Sequence, residues 1–540
     1  MESTQDDVAA AAVPTRRDEK IGTDTNDTGR AATEDEIKTL RHVTDRIPLR
    51  VWLVAFIAAA ERFTYWSTQV TWQNYIQYGP DDEITGVLGL GQATAVTINN
   101  AFSTIVYVLP IVIGPIADGR LGRYRTLQIC TIIYLAGMTV LLGFSTPSAV
   151  AAGVALPGFV VALCLIGIGV GGVQTVTAPL IADQYDETVA RIAYRKNGER
   201  VVIDRDMTIH YIYSIYWWMA NAASLGQIPT TLMEKYVSFW SAYTLTTGVL
   251  ALSSSLLWLG KKHFVLCAPS GTDLPRAFRV LWIAATSGFS LQAAMPDAQL
   301  ARGNQVGWED DFVSDIRQAL MAVKVCLVWP ILRLCIGHTS SNSIAQAGQM
   351  QTVGIPNDLL MASNSIALVI VGLFVENWLY PVLEKRRIAF GEMKRITLGL
   401  FVMALSMAYG TVVQALIYGA PPCYNFPLQC PESNGGTVPN DINVLVQLPL
   451  YIIISVSEVF AFVTGSAYMY KKAPKNMKSI LQSFFAAMSG VGYLLAVAIS
   501  PAARNPDQVI LWGSVTGVMG LATLVFWICF RSYDKRDSLR

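Results

Sequence analysis

Charge is scarce in this chain. Asp, Glu, Lys and Arg make up 15% of its 540 residues, against about 25% in soluble domains. With 52% hydrophobic residues and a mean hydropathy of +0.40, that scarcity excludes an ordinary soluble domain and places the chain in the membrane class. A net charge of +1 removes the electrostatic case for a nucleic-acid partner. Histidine is rarer still, with four residues, and the eight cysteines are scattered without metal-ligand spacing, so no metal is expected. No G-x-S-x-G, H-E-x-x-H or P-loop occurs, which argues against an enzyme and against any cofactor. No apolar secretory run opens the sequence. Residues 1–45 are polar and read as a disordered cytosolic tail.

What is present is a series of apolar runs near 50–76, 93–117, 126–145, 153–181, 209–232, 237–260, 320–341, 359–383, 396–418, 444–470, 478–500 and 508–531. Each has about the length a bilayer demands, and helices are the spanning form that suits runs this long. The expectation is an all-α, multi-pass membrane protein of about twelve helices. Lys and Arg crowd the loops at 120–125, 184–206, 261–279, 384–395 and 471–478, whereas 77–92 and 419–443 contain neither. By the positive-inside rule both termini are cytosolic. The long segment 261–319 divides the runs into six and six. The expected organisation is a 1–45 tail, a 46–260 bundle, a 261–319 cytosolic connector, a 320–533 bundle and a 534–540 cytosolic tail, as in two-bundle carriers.

Charges inside the runs are the most informative residues, because each costs roughly 2.5–3.5 kcal/mol near the midplane on insertion scales. Glu61 and Arg62 sit side by side in AAAERFTYWSTQV. Helical spacing puts Ala58, Glu61, Arg62, Tyr65 and Trp66 on one broad face. An Arg binds a carboxylate bidentately, and a Glu accepts an ammonium or a proton; the alternative is an ion pair that only packs helices. Asn221, Arg333, His338 and Glu458 lie within other runs and are expected to face a cavity or one another. Arg333 and Glu458 fall at similar depth, so a pair between them is expected. His338 is a residue type that titrates near neutrality, or else a neutral packing residue. Asp118-Gly119-Arg120-Leu121-Gly122-Arg123 forms a charged turn that either gates across the two bundles or only anchors the topology. Gly167, Gly169, Gly171 and Gly172 permit close helix contact. Cys423 and Cys430 share a Pro/Gly-rich loop; if the loop is extracellular they are placed for a disulfide, which the spacing permits without requiring.

Several of these segments resemble the proton-dependent oligopeptide transporter family, its fungal branch in particular, over about residues 45–535. ERFTYW is similar to the family's ExxERFxYY helix, GPIADGRLGRYRT to the signature after its second helix, GVGGVQTVTAPLIADQY to that of its fourth, and YWWMANAASL to FYWxINxGSL. QAGQMQTVGIPNDLL, KAPKNMKS and LPRAFRV add to the likeness. The resemblance implies the major facilitator superfamily fold, with two six-helix bundles around a central site. It implies that Arg62 holds a peptide carboxylate and Glu458 its ammonium, while Tyr65, Asn221 and Asn364 supply hydrogen bonds. Two positions depart from the pattern: the first Glu of ExxER is Ala58, and the Lys of GGxK is Gln174. The loss of one acid and one base leaves the summed charge unchanged, as compensated substitutions do; losing one partner alone strands a buried charge at about 3–5 kcal/mol.

Three functions remain open at this stage. The first is a carrier of di- and tripeptides whose proton coupling rests on Glu61, Glu458, His338 or Arg333. The second is a transporter or exporter of a peptide-derived secondary metabolite or other non-peptide substrate with altered coupling. The third is a non-transporting receptor. The expected partners are a short peptide, protons and the lipid bilayer, and the expected location is the plasma membrane.

Overall fold

The computed structural model describes residues 21–22, 30–187, 189–195, 198–269, 274–388, 390–472 and 478–533. Nine of its helices are long and apolar enough to cross a bilayer, and a tenth span arises if the bent pair Asp310–Cys326 and Trp329–Gly348 is counted as one. The first and fifth spans complete the twelve. They fall below that test for a chemical reason. Leu49–Gln69 carries Arg50, Glu61 and Arg62, and the fifth is split into Arg205–Ser224 and Gln227–Tyr236, with acidic and basic residues at its start. The least apolar helices are thus ones that bear site residues.

Within the N-terminal half, the third and fourth spans, Arg123–Phe144 and Ala155–Asp183, cross with almost no gap. A Cβ on Gly169 would lie 2.5–2.7 Å from Tyr134 Cβ, Cα and N, and one on Gly137 would lie 2.8 Å from the Ile166 backbone N. Small residues let the backbones touch, as the glycine run suggested. Gly169→Val is therefore expected to destabilise the bundle by at least about 1–3 kcal/mol, the usual cost of overpacking. Thermal unfolding in detergent reads this as a lower midpoint and loss of monodisperse protein; an unchanged midpoint would contradict the packing described.

The C-terminal half has its own core around Trp329, Met403, Met407 and Trp512. The connector joins that core rather than floating free. Its helices Leu274–Thr286 and Asp310–Cys326 insert Val280, Val313 and Ile316 against it. The expected start of the second bundle at residue 320 falls inside the first helix of the bent pair. The chain bends by 42° and resumes as helix at Trp329, with Pro330 in its first turn, where proline has no helical donor to lose.

Part of the segment expected to be disordered is built. Glu34–Thr39 is a helix with a reciprocal cap between Thr33 and Glu36. Strand β2 (Arg41–Val43) joins a four-stranded sheet with β1 (Ile21–Gly22), β3 (Arg191–Arg195) and β4 (Arg200–Ile203), in the order β1-β3-β4-β2. Ala193, Val201 and Ile203 bury one face with Val43, and this alternating apolar pattern is what tethers the segment. His42 sits between the Ile37 carbonyl and Asp204, 2.7 Å from each; these two acceptors, the carbonyl first, raise its affinity for a proton. Residues 1–20, 23–29 and 534–540 of the expected tails lie outside the described residues. At the opposite end of the molecule Cys423 and Cys430 are bonded, with Cα atoms 5.3 Å apart.

Candidate functional site

The site begins on the first span. Glu61 is nearly buried, and its Oε2 lies 3.0 Å from Arg62 Nε, while Arg62 keeps 17% of its side chain accessible. With the Gln174 amide turned so that its oxygen faces the guanidinium, that oxygen is 3.1 Å from both terminal nitrogens of Arg62. The amide orientation is set by these donors. Gln174 thus stands on the fourth span where the family pattern has a cation, and it accepts from Arg62 as a neutral partner. Tyr216, on the fifth span, lies near Arg62, and the Tyr65 ring lies 5.8 Å from the guanidinium carbon.

The opposing half contributes Glu458. It opens a π-helical stretch, Glu458–Val463, that interrupts the tenth span between Leu448–Ser457 and Thr464–Lys472. Stretches of this kind recur at functional sites. Glu458 is partly accessible, and Asn364 of the eighth span donates to its Oε2 at 3.4 Å. Ser455 fixes Asn364 by donating to its amide oxygen at 2.5 Å. Arg62 and Glu458 therefore stand on opposite halves, one cation and one anion, neither sealed off.

The geometry bears on five of the sequence-based expectations. Arg333 and Glu458 form no ion pair. Arg333 is instead caged by aromatics, 4.2 Å from the Phe462 centroid and 5.4 Å from that of Tyr107, with Tyr493 close by. Guanidinium stacking of this kind offsets burial without a counter-charge. His338 is 1% exposed; its Nδ1 accepts from the Asn342 amide at 3.0 Å and its ring packs edge-on against Trp512. No carboxylate faces it, which fits a neutral packing ring. Asp118 and Arg123 do not reach across the bundles: Arg123 donates to Asp118 at 2.9 Å and to Asp183 at 2.8 Å, a triad closed within the N-terminal half. Tyr65 is buried, edge-on to Trp66 and stacked on Phe102. Asn221 donates to the Trp217 carbonyl of its own helix at 2.8 Å.

Tyr107, Tyr216, Phe462 and Tyr493 were not singled out by sequence reasoning. Tyr107 of the second span and Tyr493 of the eleventh stack at 5.3 Å across the seam between the halves. An aromatic ring within each apolar run was the available signal.

Among the described residues, hydrogen bonds between the halves gather at the end that carries the Cys423–Cys430 loop. Asn74 and Asn357 exchange two amide bonds of 2.9 Å. Lys235 donates to the carbonyls of Gly354 and Ile355 at 2.9 and 3.1 Å, and Tyr236 to that of Gly354 at 2.8 Å. Gln92 donates to Asn342 at 3.2 Å, and Thr97 meets Ser500 at 2.6 Å.

Two helical halves closed at one end, with opposed charges on the seam between them, define a multi-pass membrane carrier of the major facilitator fold. The chain belongs to the POT family, whose model matches residues 124–515. It is 37% identical over 509 residues to the probable peptide transporter ptr2 of Schizosaccharomyces pombe, covering 94% of this chain and 81% of that protein. It is 35% identical over 505 residues to the peptide transporter PTR2 of Saccharomyces cerevisiae, covering 94% and 82%. The crystal structure of the POT family transporter PepTSo superposes with a TM-score of 0.70 at 20% identity, over 91% of this chain and 99% of that one, which establishes the fold.

Proposed function

We propose that this protein carries short peptides across the plasma membrane together with protons, by alternating access. The observation that carries the reading is the placement of Arg62 and Glu458 on opposite halves, each partly accessible. A zwitterionic peptide offers a carboxylate to the first and an ammonium to the second. Binding both would draw the halves together, which is the step alternating access requires. Proton coupling follows from the Glu61–Arg62 contact. While Glu61 is ionised it holds the guanidinium; a proton on Glu61 neutralises it and frees Arg62 for the peptide carboxylate. Glu458, which accepts from Asn364, is the second proton acceptor of this scheme. His338 and Arg333, enclosed as described, are assigned packing and cavity-lining roles rather than proton transfer.

The Lys- and Arg-rich loops support cytosolic termini by the positive-inside rule. The bonded end is then extracellular, and the conformation is closed to the outside. The 46–260 and 329–533 bundles are the two moving bodies, and the connector travels with the second.

The test is uptake of a labelled dipeptide by the reconstituted full chain, with and without an imposed inward proton gradient. Accumulation that collapses when the gradient is dissipated is the expected result. Uptake that ignores the gradient would remove the coupling, and no uptake of any dipeptide would remove the substrate. A second reading, a substrate lacking a free carboxylate, is favoured by one observation: Gln174 already occupies the two terminal nitrogens of Arg62. Retained transport of a dipeptide amide, alongside lost transport of the free acid, selects it.

A further inference from the structure

A second set of carboxyls lies far from Arg62, at the bonded end. Glu234, at the close of the fifth span, and Asp358, in the loop before the eighth, are 4% and 0% exposed. They belong to different halves and are brought together by Asn74, which donates to Glu234 and exchanges two amide bonds with Asn357, the chain neighbour of Asp358. Asn74 donates to one Glu234 oxygen at 2.9 Å. Among the described residues, the other Glu234 oxygen and both Asp358 oxygens find no donor on another residue. Two ionised carboxylates cannot share such a place, because desolvation and mutual repulsion both oppose it. One proton resolves the conflict, since it turns the pair into an O–H···O bond with a single net negative charge.

The surroundings agree with a proton rather than a metal or a cation. Lys235 is the cation that bears on the pair, and its ammonium donates to the Gly354 and Ile355 carbonyls. Glu83 bears on Lys235. The remaining titratable groups near the pair are phenols. Tyr243 of the sixth span lies near both carboxyls, with Tyr75 of the first beside it. Tyr451 of the tenth span lies near Asp358. Tyr78, with Asp82 beside it, lies close to Gly348 and Asn357. Burial raises the Asp358 carboxyl above the usual carboxylate range.

We propose that Glu234 and Asp358 form a proton-binding site across the extracellular seam, and that the shared proton holds that end closed. The inference rests on the proposed orientation and on alternating access. It adds a distinct property: this proton arrives from outside and returns outside when the seam opens, so it regulates the carrier without being transported. Acid outside thus favours the cytosol-facing form, over and above any coupling in the central site.

The test uses the full chain in nanodiscs and hydrogen exchange of segments 72–78, 227–236 and 352–361, corrected for intrinsic rates, between about pH 5.5 and 7.5. Wild-type protection is expected to be greater at the acid end by about tenfold or more, the change that one pKa unit carries. Glu234→Gln supplies a permanent donor and should hold these segments protected at both pH values; Asp358→Asn should do the same. Protection that keeps its wild-type pH dependence in both variants overturns the site. In liposomes, the proton-to-peptide ratio measured from reversal potentials should be unchanged in either variant. A lower ratio would mean that the pair's proton is carried, and would overturn the regulatory role. The exchange measurement needs no peptide, so its failure is distinguishable from a failure of the peptide reading.

Discussion

Arg62→Ala is expected to lower dipeptide uptake by two orders of magnitude or more. The guanidinium is the cation that the central seam offers on its N-terminal side, and it is held by Glu61 and Gln174. Breaking a buried ion pair from one side costs about 3–5 kcal/mol, more than a hundredfold in any equilibrium it controls. Part of that cost would fall on stability, because Glu61 would remain in the bundle without its partner. The double change Glu61→Gln with Arg62→Ala removes the stranded carboxylate. It should recover the thermal midpoint while leaving uptake abolished. Arg62→Lys should restore only a fraction, since an ammonium keeps the charge and loses the bidentate fork. Uptake within a few-fold of wild type in the alanine variant, at equal amounts of folded protein, would show that the peptide carboxylate is held elsewhere.

Gln174→Lys is expected to be nearly as damaging, although it restores the residue that the family pattern has at this position. Its ammonium would replace an amide oxygen that now sits 3.1 Å from two guanidinium nitrogens. Like charges about 4 Å apart repel by roughly 4 kcal/mol at an effective dielectric of 20. Ala58→Glu alone should also destabilise, because position 58 is 1% exposed and the new carboxylate would lack a cation. The two together should recover much of both losses, in midpoint and in uptake, if Ala58 and Gln174 are a compensated pair. A double-mutant cycle measures this directly. Strict additivity of the two single losses would mean that the positions changed independently.

The sequence exposed those features that lie within one helix or one turn. Glu61 and Arg62 are neighbours, so their contact needed only helical periodicity. The Asp118–Arg123 contact needed only a short turn, but its third member, Asp183, arrives from the end of another span and no local pattern announces it. The expected Arg333–Glu458 pair failed for the same reason. Depth along a helix could be counted, but rotation about its axis could not, and the aromatic faces of Tyr107, Phe462 and Tyr493 come from three other spans. Gln174 was visible as a departure from the family pattern; that it would accept from Arg62 required the packing of the first span on the fourth. The sheet was missed because its strands are short and its pairing joins residues 41–43 to 201–203, a distance over which alternation carries no signal. Glu234 and Asp358 were passed over because each stands at the margin of an apolar run, where a lone acid is ordinary. Only their juxtaposition across the halves gives them meaning.

The π-helical stretch at Glu458–Val463 makes spacing there as consequential as chemistry. Such a stretch accommodates an extra residue within an otherwise α-helical rod. Deleting a single codon between 459 and 461 would let the rod rewind to 3.6 residues per turn. Everything downstream would then keep its register, whereas a residue lost from the α-helical turns on either side would rotate the rest by about 100°. A reading-frame-preserving deletion scan should therefore find this short interval better tolerated for folding than its flanks, with the cost appearing in transport, because the bulge that presents Glu458 would be gone.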